Sequence, residues 1–508
     1  MIHQLEDINS DLNISCDVCV VGTGAGGAVV GKTLAEAGLH VVMIEEGGYF
    51  PPHSYLADDT VQSLVNLYRN AGAAVIFGKP NIMYAEGRCV GGSTTVNGGM
   101  CWRTPEKIMK IWRWEKGITH FSPQKMDYYF SEVEKNINAK SMIPEAVNRE
   151  SELLKLGGER LGYEVKANIR AQDHCVGANL CITGCPTQAK QTMVTSYIPA
   201  FLKKNGDIYT HCRVHRVLTR QNRAVGVEGY FTDPVTKQKK YKLKVKSRIV
   251  ISSCGAIQTP ALLLKSGIKD NKKLLGKNLI THPNAKVMAV FDEPVNSWRG
   301  VNQGYQITEF FDDGILMAVN STSPGVMTLA LPLETKNILQ ALKNEFHHLV
   351  MGGVLIEDSS RGQVRTGPFD TVFPLYNLNS HDFEKTLRGV GLLAEVFFTA
   401  GAKKCYLPFR GLQEMHSIDD IPKIYQAGFK PTDVELLTVH VMGTAQMGGD
   451  PDRSVINPFG EFHNIKGLYV ADASVFPTSI GVNPQVTIMA LAMRTAEHIT
   501  ENFNKLLT

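Results

Sequence analysis

The sequence predicts an α/β protein: a Rossmann-like, doubly wound unit opens the chain and is rejoined by later stretches, beside a second layer of different pattern. Three observations carry this. Asp17 to Gly48 runs strand, glycine-rich turn, helix, strand. Arg248 to Gly267 repeats the order strand, glycine turn, helix. Between about Pro283 and Pro431 that alternation gives way to short β-rich segments and one long helix.

Asp17 to Val21 is short, apolar and rich in valine, as a strand buried on both faces should be. It runs into Gly22, Gly24 and Gly27, a G-x-G-x-x-G. The first glycine makes the tight turn, the second lets backbone approach a pyrophosphate, and the third lets helix pack close to strand. Ala28 to Ala37 is helix-forming and stops at Gly38, a C-terminal cap. A second strand, His40 to Ile44, ends at Glu45, about 20 residues past the glycines, where an acid can hold a ribose hydroxyl. Alone, a glycine-rich turn says little. In register with strand, helix, strand and acid it reads as a dinucleotide site, against the plainer alternative of an ordinary βαβ unit.

Pro51 to Met83 reads as a connecting segment with helical patches. It leads to Gly87–Gly99, where Gly91, Gly92 and Ser93 can bring backbone amides up to a ligand without interference from Cβ atoms. Ser122 and Pro123 start a helix in the order N-cap, first residue. Ile208–Leu218 and Ala224–Phe231 read as strands. In Lys239–Arg248, Tyr241, Leu243 and Val245 alternate with Lys242, Lys244 and Lys246, which is a strand with one solvated face rather than a nucleic-acid patch. Arg248–Cys254 is a further buried strand, followed by Gly255 and a leucine-rich helix up to Gly267. Ala285–Phe291 and Gly314–Ser321 are β-rich and precede a long helix near Asp382–Ala400. Gly467–Asp472 is a strand ending in an acid. Asn483 then caps a helix from Pro484 to about Phe503, whose positive end suits a ring acquiring negative charge.

At 508 residues the chain is long enough for two interleaved domains, and 43% hydrophobic with 20% charged residues is an ordinary globular composition. The 53 basic and 49 acidic residues leave a net +4, which selects no charged partner and gives no sign of nucleic acid. No run of roughly 18 apolar residues suggests a transmembrane helix, and the N-terminus shows no signal-peptide pattern. Ten cysteines in that setting fit a reducing, cytoplasmic compartment, unless the chain is exported with a partner subunit.

On these motifs the sequence resembles the glucose–methanol–choline (GMC) oxidoreductases over nearly its whole length. Gly22, Gly24, Gly27 and Glu45 match the nucleotide motif. Gly87–Asn97 matches the first family signature, which departs at Cys101, and Gly255–Ile268 the second, with Lys269 in place of the closing glycine. The C-terminal pattern appears as His440 followed by Gly443-Thr444, then Asp472-Ala473-Ser474 and Asn483-Pro484. Trp298-Arg299-Gly300, Trp102–Pro105 and the Cys175 cluster look most like the long-chain alcohol oxidase and dehydrogenase branch.

The resemblance implies an FAD-binding domain from residues 1–100, 187–282 and 432–508, and a substrate domain on an antiparallel sheet from 101–186 and 283–431. It implies Glu45 on the adenosine ribose and Val214 on adenine. Gly91, Gly92, Ser93 and Asn97 should lie by the pyrophosphate and the isoalloxazine, with Gly255 in the second signature and Asp472 on the ribityl-pyrophosphate. No histidine lies between Gly87 and Pro105, so the FAD is expected to be non-covalent.

Flavin-dependent alcohol oxidation needs a base for the hydroxyl proton while hydride passes to the flavin N5. His440 matches the family's catalytic histidine, and histidine suits a base near neutrality. Asn483 matches its paired position; an amide can hold the substrate oxygen but cannot serve as a base. Asn483 and Pro484 also place a helix N-terminus against the ring. An isolated histidine in an apolar run is more often a core residue, but the flanking pattern favours chemistry here. Oxidation to an aldehyde or ketone is the leading expectation. An oxidase producing peroxide, a flavin-containing lyase and an electron-transfer subunit are the alternatives, and an electron-accepting subunit or small acceptor is the expected partner.

Cys175, Cys181 and Cys185 with Pro186 keep the spacing of a ferredoxin cluster motif, with Ala178 in place of its second cysteine. Three thiolates suffice for a [3Fe–4S] cluster, as in sugar dehydrogenases of the resembled family. A structural Cys-Pro loop is the other reading. Zinc lacks a fourth ligand at convincing spacing.

Overall fold

The computed structural model describes all residues except 56–58, 120, 302, 321, 324–326, 328–341 and 507–508. Two large sheets organise the described chain. The first has Leu12–Val21 at its centre, with Val41–Ile44 and Lys239–Ser252 parallel on either side. Val18, Cys19 and Val20 are fully buried there, which is why the run is apolar rather than alternating. Arg223–Thr232 and Cys212–Arg220 extend the sheet antiparallel, and Leu468–Val470 returns from the C-terminal part to pair with Val250–Ser252.

Lys239–Ser252 is one strand of 14 residues, where the sequence suggested two. Its lysines face solvent in alternation until Ser247, after which Ile249 to Ser252 are buried beneath helices. The run expected at Ile208–Leu218 is instead divided. His211 takes a left-handed φ of +52° and separates Asp207–Tyr209 from Cys212–Arg220.

The second sheet is antiparallel at its heart. Asn284–Val290 pairs with Leu349–Ile356, which pairs with Ile315–Val319. Ser321, at the end of the segment read as a strand, lies outside the described residues. Ser380–Ala400 backs this sheet, started by the Asn379 side chain accepting from Asp382 N at 2.8 Å and stopped at Gly401. Its Val390, Leu393, Val396 and Phe397 are fully buried, each contributing roughly 1.5–3 kcal/mol by leaving water.

Pro51–Met83 is more than a connection. It contains a helix, Thr60–Leu67, and two strands, Ala74–Lys79 and Ile82–Tyr84, that join the second sheet. Leu436–Thr438 does the same. Both lie within stretches expected to serve the nucleotide-binding part, because short strands take their sheet from distant partners rather than from local sequence. Gly255–Lys265 sits where the two layers meet: Ile257 and Ala261 belong to the core of the second sheet, Leu262 and Leu263 to that of the first. That helix thus packs against both layers.

Ala25–Glu36 approaches its sheet on glycines. A Cβ on Gly27 would lie 2.0 Å from the Gly22 carbonyl oxygen, and one on Gly26 would lie 1.6 Å from that of Ala471. Gly26→Ala should therefore lower the urea midpoint, costing about 1–3 kcal/mol or more by forcing helix and C-terminal strand apart. An unchanged midpoint would refute this packing.

Candidate active site

A cavity of about 500 Å³ runs between the layers. One end is built on the glycine turn. Gly22, Gly24, Glu45, Gly92, Ser93, Asn97, Val214, Gly255 and Asp472 line it, together with His440, Asn483 and Pro484 from the C-terminal part. Gly27 and Gly91 lie behind the wall: the first lets the helix pack, the second has φ +91° and donates its N–H to Thr23 Oγ1 at 3.2 Å. The helix Ala25–Glu36 begins at Gly24 with no side-chain cap, leaving its first amides for an anion. Gly24 and Gly92 touch back to back, since a Cβ on Gly92 would meet Gly24 Cα at 2.8 Å. A Cβ on Gly255 would meet nothing within 4 Å. Both turns thus offer bare backbone to the cavity.

Glu45 is buried and braces the turn, with Oε2 accepting from Thr23 N at 3.1 Å and Thr23 Oγ1 at 2.7 Å, and Oε1 from Gly47 N at 3.0 Å. Burial pushes its pKa up. Asp472 accepts from Gly255 N at 2.9 Å and from Thr259 and Ser474, tying the C-terminal strand to the second glycine turn. The neighbouring Glu46 is paired in two-pronged fashion with Arg69, which also bonds Glu86. The Arg69 and Arg213 guanidinium groups offset the burial of Glu46 and hold its pKa at about 2.

At the other end His440 Nε2 lies 3.3 Å from Asn483 Nδ2, and its Nδ1 lies 3.4 Å from Nδ1 of His282. His282 Nε2 accepts the backbone N–H groups of Ile480 at 3.3 Å and Gly481 at 3.2 Å. Its proton is therefore on Nδ1 and points at His440. Burial, then the charge of Lys286, pull the His440 pKa down to about 4, so at neutral pH the ring is uncharged. His282 itself sits at φ +42°, a strained position for a non-glycine residue. Buried Asp358 holds it there. Its carboxylate accepts from Thr281 N at 3.1 Å, His282 N at 3.3 Å, Tyr376 Oη at 2.8 Å and Ser479 Oγ at 3.1 Å. Thr438 completes the frame by accepting from His440 N at 3.0 Å while donating to the Thr281 carbonyl.

Several polar atoms beside this site have no partner among the described residues: Asn483 Oδ1, Gln485 Nε2, Ser253 Oγ, Asn284 Oδ1 and Asn320 Oδ1. All five side chains line the cavity. Buried polar atoms without partners are costly, so they mark where a polar ligand belongs.

The metal expectation at Cys175, Cys181 and Cys185 is not met. Among the described residues no group of three His, Cys, Asp or Glu side chains is placed to hold a metal. Cys181 Sγ instead accepts from Arg170 at 3.3 Å, and Cys185 Sγ from Lys190 N at 3.4 Å. Lys190 Nζ donates to the carbonyls of Thr95, Asn97 and Cys181, and Tyr68 donates to that of Ile182 at 2.6 Å. The cysteine loop thereby braces the Gly91–Asn97 turn through the Lys190 ammonium, which bonds carbonyls of both. Sequence reasoning also passed over His282, Asn284 and Lys286. Their period of two was the available signal, since it puts Asn284 and Lys286 on one face of the strand that starts at Asn284.

Comparison with known proteins finds matches over both layers. GMC oxidoreductase family models match residues 64–284 and 358–492. The uncharacterized GMC-type oxidoreductase y4nJ of Sinorhizobium fredii is 32% identical, over 96% of this chain and 95% of that protein. Long-chain-alcohol oxidase FAO4A of Arabidopsis thaliana is 28% identical, over 95% of this chain and 68% of that protein. Among solved structures, a formate oxidase superposes with a TM-score of 0.74 at 16% identity, over 98% of this chain and 100% of its own. The pyridoxine 4-oxidase of Mesorbium loti gives 0.66, also at 16% identity, over 95% and 99%. At that identity the likeness is one of fold.

Asp358→Ala would strand four donors in the interior. At roughly 1–3 kcal/mol for each buried group left unpaired, it should cost at least about 3 kcal/mol in urea unfolding. A loss below about 1 kcal/mol would show that Asp358 is not the organiser of the His282 turn.

Proposed function

Because the chain belongs to the GMC oxidoreductase family and its relatives include long-chain-alcohol oxidases, we propose that it oxidises an alcohol to an aldehyde or ketone with non-covalent FAD in the cavity. The observation that carries this reading is the pairing of His440 with Asn483 at 3.3 Å on the wall of a cavity whose far end is bare glycine backbone. FAD, when bound, supplies the acceptor for the hydride. The residues fit it: an uncapped helix start for the pyrophosphate, Glu45 for a ribose hydroxyl, Val214 for adenine, and the helix Gln485–Leu506 for the ring end. Asn97 is fixed beside that helix by its bond to Gln485.

In this reading the carbinol oxygen sits between the His440 imidazole and the Asn483 amide, where the unpartnered Asn483 Oδ1 and the ring Nε2 are available. His440 is the base that takes the hydroxyl proton. A second reading is favoured by the His282 geometry. A proton on His282 Nδ1 directed at His440 Nδ1 leaves the neutral His440 with its own proton on Nε2, and the Asn483 amide then turns its oxygen rather than Nδ2 toward that nitrogen. His440 would then donate to the substrate oxygen instead of accepting from it.

The pH profile separates the two. A base must be unprotonated, so kcat/KM should be lost as pH falls through about 4 if His440 is the base. A profile flat through that value, with the folded state intact, would favour the donor role. His440→Ala should reduce kcat by about 10²–10⁴-fold and Asn483→Ala by about 10²-fold in either case. Undiminished turnover in His440→Ala, or a colourless preparation that takes up no FAD, would end the proposal.

A further inference from the structure

We infer that the alcohol taken by this cavity carries a carboxylate, and that Lys286 receives it. This deepens the alcohol-oxidation reading and rests on it for the position of the carbinol. Asn284 and Lys286 share one face of the strand Asn284–Val290, His282 stands two residues before it, and all three line the cavity. Ala285 and Val287, on either side of Lys286, face the opposite core. Lys286 is only 6% exposed, yet among the described residues its ammonium has no hydrogen bond and no ion pair.

Room has been left for it. Across the sheet Lys286 stands opposite Gly353, and Gly353 opposite Ala318, the smallest side chains available. A Cβ at Gly353 would come within 2.7 Å of both Lys286 Nζ and Asn284 Oδ1, so ammonium and amide converge over bare backbone. Asn284 Oδ1 and, farther along the wall, Asn320 Oδ1 also lack partners among the described residues. The amide groups of these asparagines can turn to donate to an anion.

The carboxylates that line the cavity are bonded elsewhere. Glu45 holds Thr23, Glu46 and Glu86 hold Arg69, Asp370 pairs with Lys265, and Asp472 holds Thr259. An unpaired buried cation is expensive, and an aliphatic side chain beside Met288 and Met351 would have been tolerated at lower cost. One lysine with amides around it matches a singly charged, planar acid better than a phosphate, which brings more charge than one ammonium balances. Burial lowers the Lys286 pKa to about 7, and a bound anion would restore its charge. It would also offset the positive field that, after burial, depresses His440. The carboxylate takes no part in the oxidation.

The test uses the FAD-loaded enzyme with a series of ω-hydroxy acids of increasing chain length, each beside its neutral amide. The best acid should exceed its amide in kcat/KM by at least about tenfold, through KM. Lys286→Met should remove that preference and Lys286→Arg should keep part of it. Calorimetry with the alkanoate of the best length, which cannot be oxidised, reads the site without turnover and should show binding that Lys286→Met abolishes. Equal treatment of acid and amide by the wild-type enzyme overturns the inference and leaves alcohol oxidation standing, whether or not the variants fold. Lys286-dependent alkanoate binding with no alcohol oxidised overturns the oxidation reading and leaves the anion site.

Discussion

The geometry of this site depends on one buried carboxylate. Asp358 lies where three separated parts of the chain meet: the turn at Thr281-His282, Tyr376 of the second sheet, and Ser479 in the loop before Asn483. A charge there is tolerated because each oxygen is met by donors, two backbone N–H groups and two hydroxyls. Those bonds hold His282 in a left-handed conformation that it would not adopt alone, and place its ring on His440. The line from Asp358 through His282 and His440 to Asn483 is thus a chain of contacts, each fixing the next.

The two ends of the cavity use opposite chemistry. At the nucleotide end, side chains are removed: the glycines at 22, 24, 92 and 255 expose backbone, and the acids around them also hold the turns. At the far end, side chains supply unsatisfied hydrogen-bonding capacity, at Asn284, Lys286, Asn320 and Asn483. Backbone dipoles suit an anionic cofactor whose shape does not vary, and side chains suit a substrate whose identity does. The depressed proton affinities of His440 and Lys286 both arise chiefly from loss of water, so the same burial that shapes the pocket tunes its chemistry.

The cysteine loop shows how spacing misleads without coordinates. Cys175, Cys181 and Cys185 keep a ligand-like rhythm, but Arg170 bonds the Cys181 sulfur and Lys190 ties the loop to the Gly91–Asn97 turn. Their bonds to sulfur and to backbone carbonyls give the loop a bracing role that needs no metal.

The local pattern of this chain was legible in its residues. Valine-rich Val18–Val21, the glycine spacing at 22, 24 and 27, and the Ser122 cap act within a few residues: the first strand ends at Val21 and the helix after Ser122 starts at Pro123, as those signals imply. The pairing of His440 with Asn483 was also readable, from the motifs that flank each. What only the tertiary structure decided were contacts between segments distant in sequence. It sent the strands at 74–84 and 436–438 to the second sheet, put Asp358 beneath His282, and left Lys286 facing a cavity without a counter-charge. Such outcomes depend on which strands become neighbours, and strand partners are chosen by burial across the whole fold, which no short window of sequence contains.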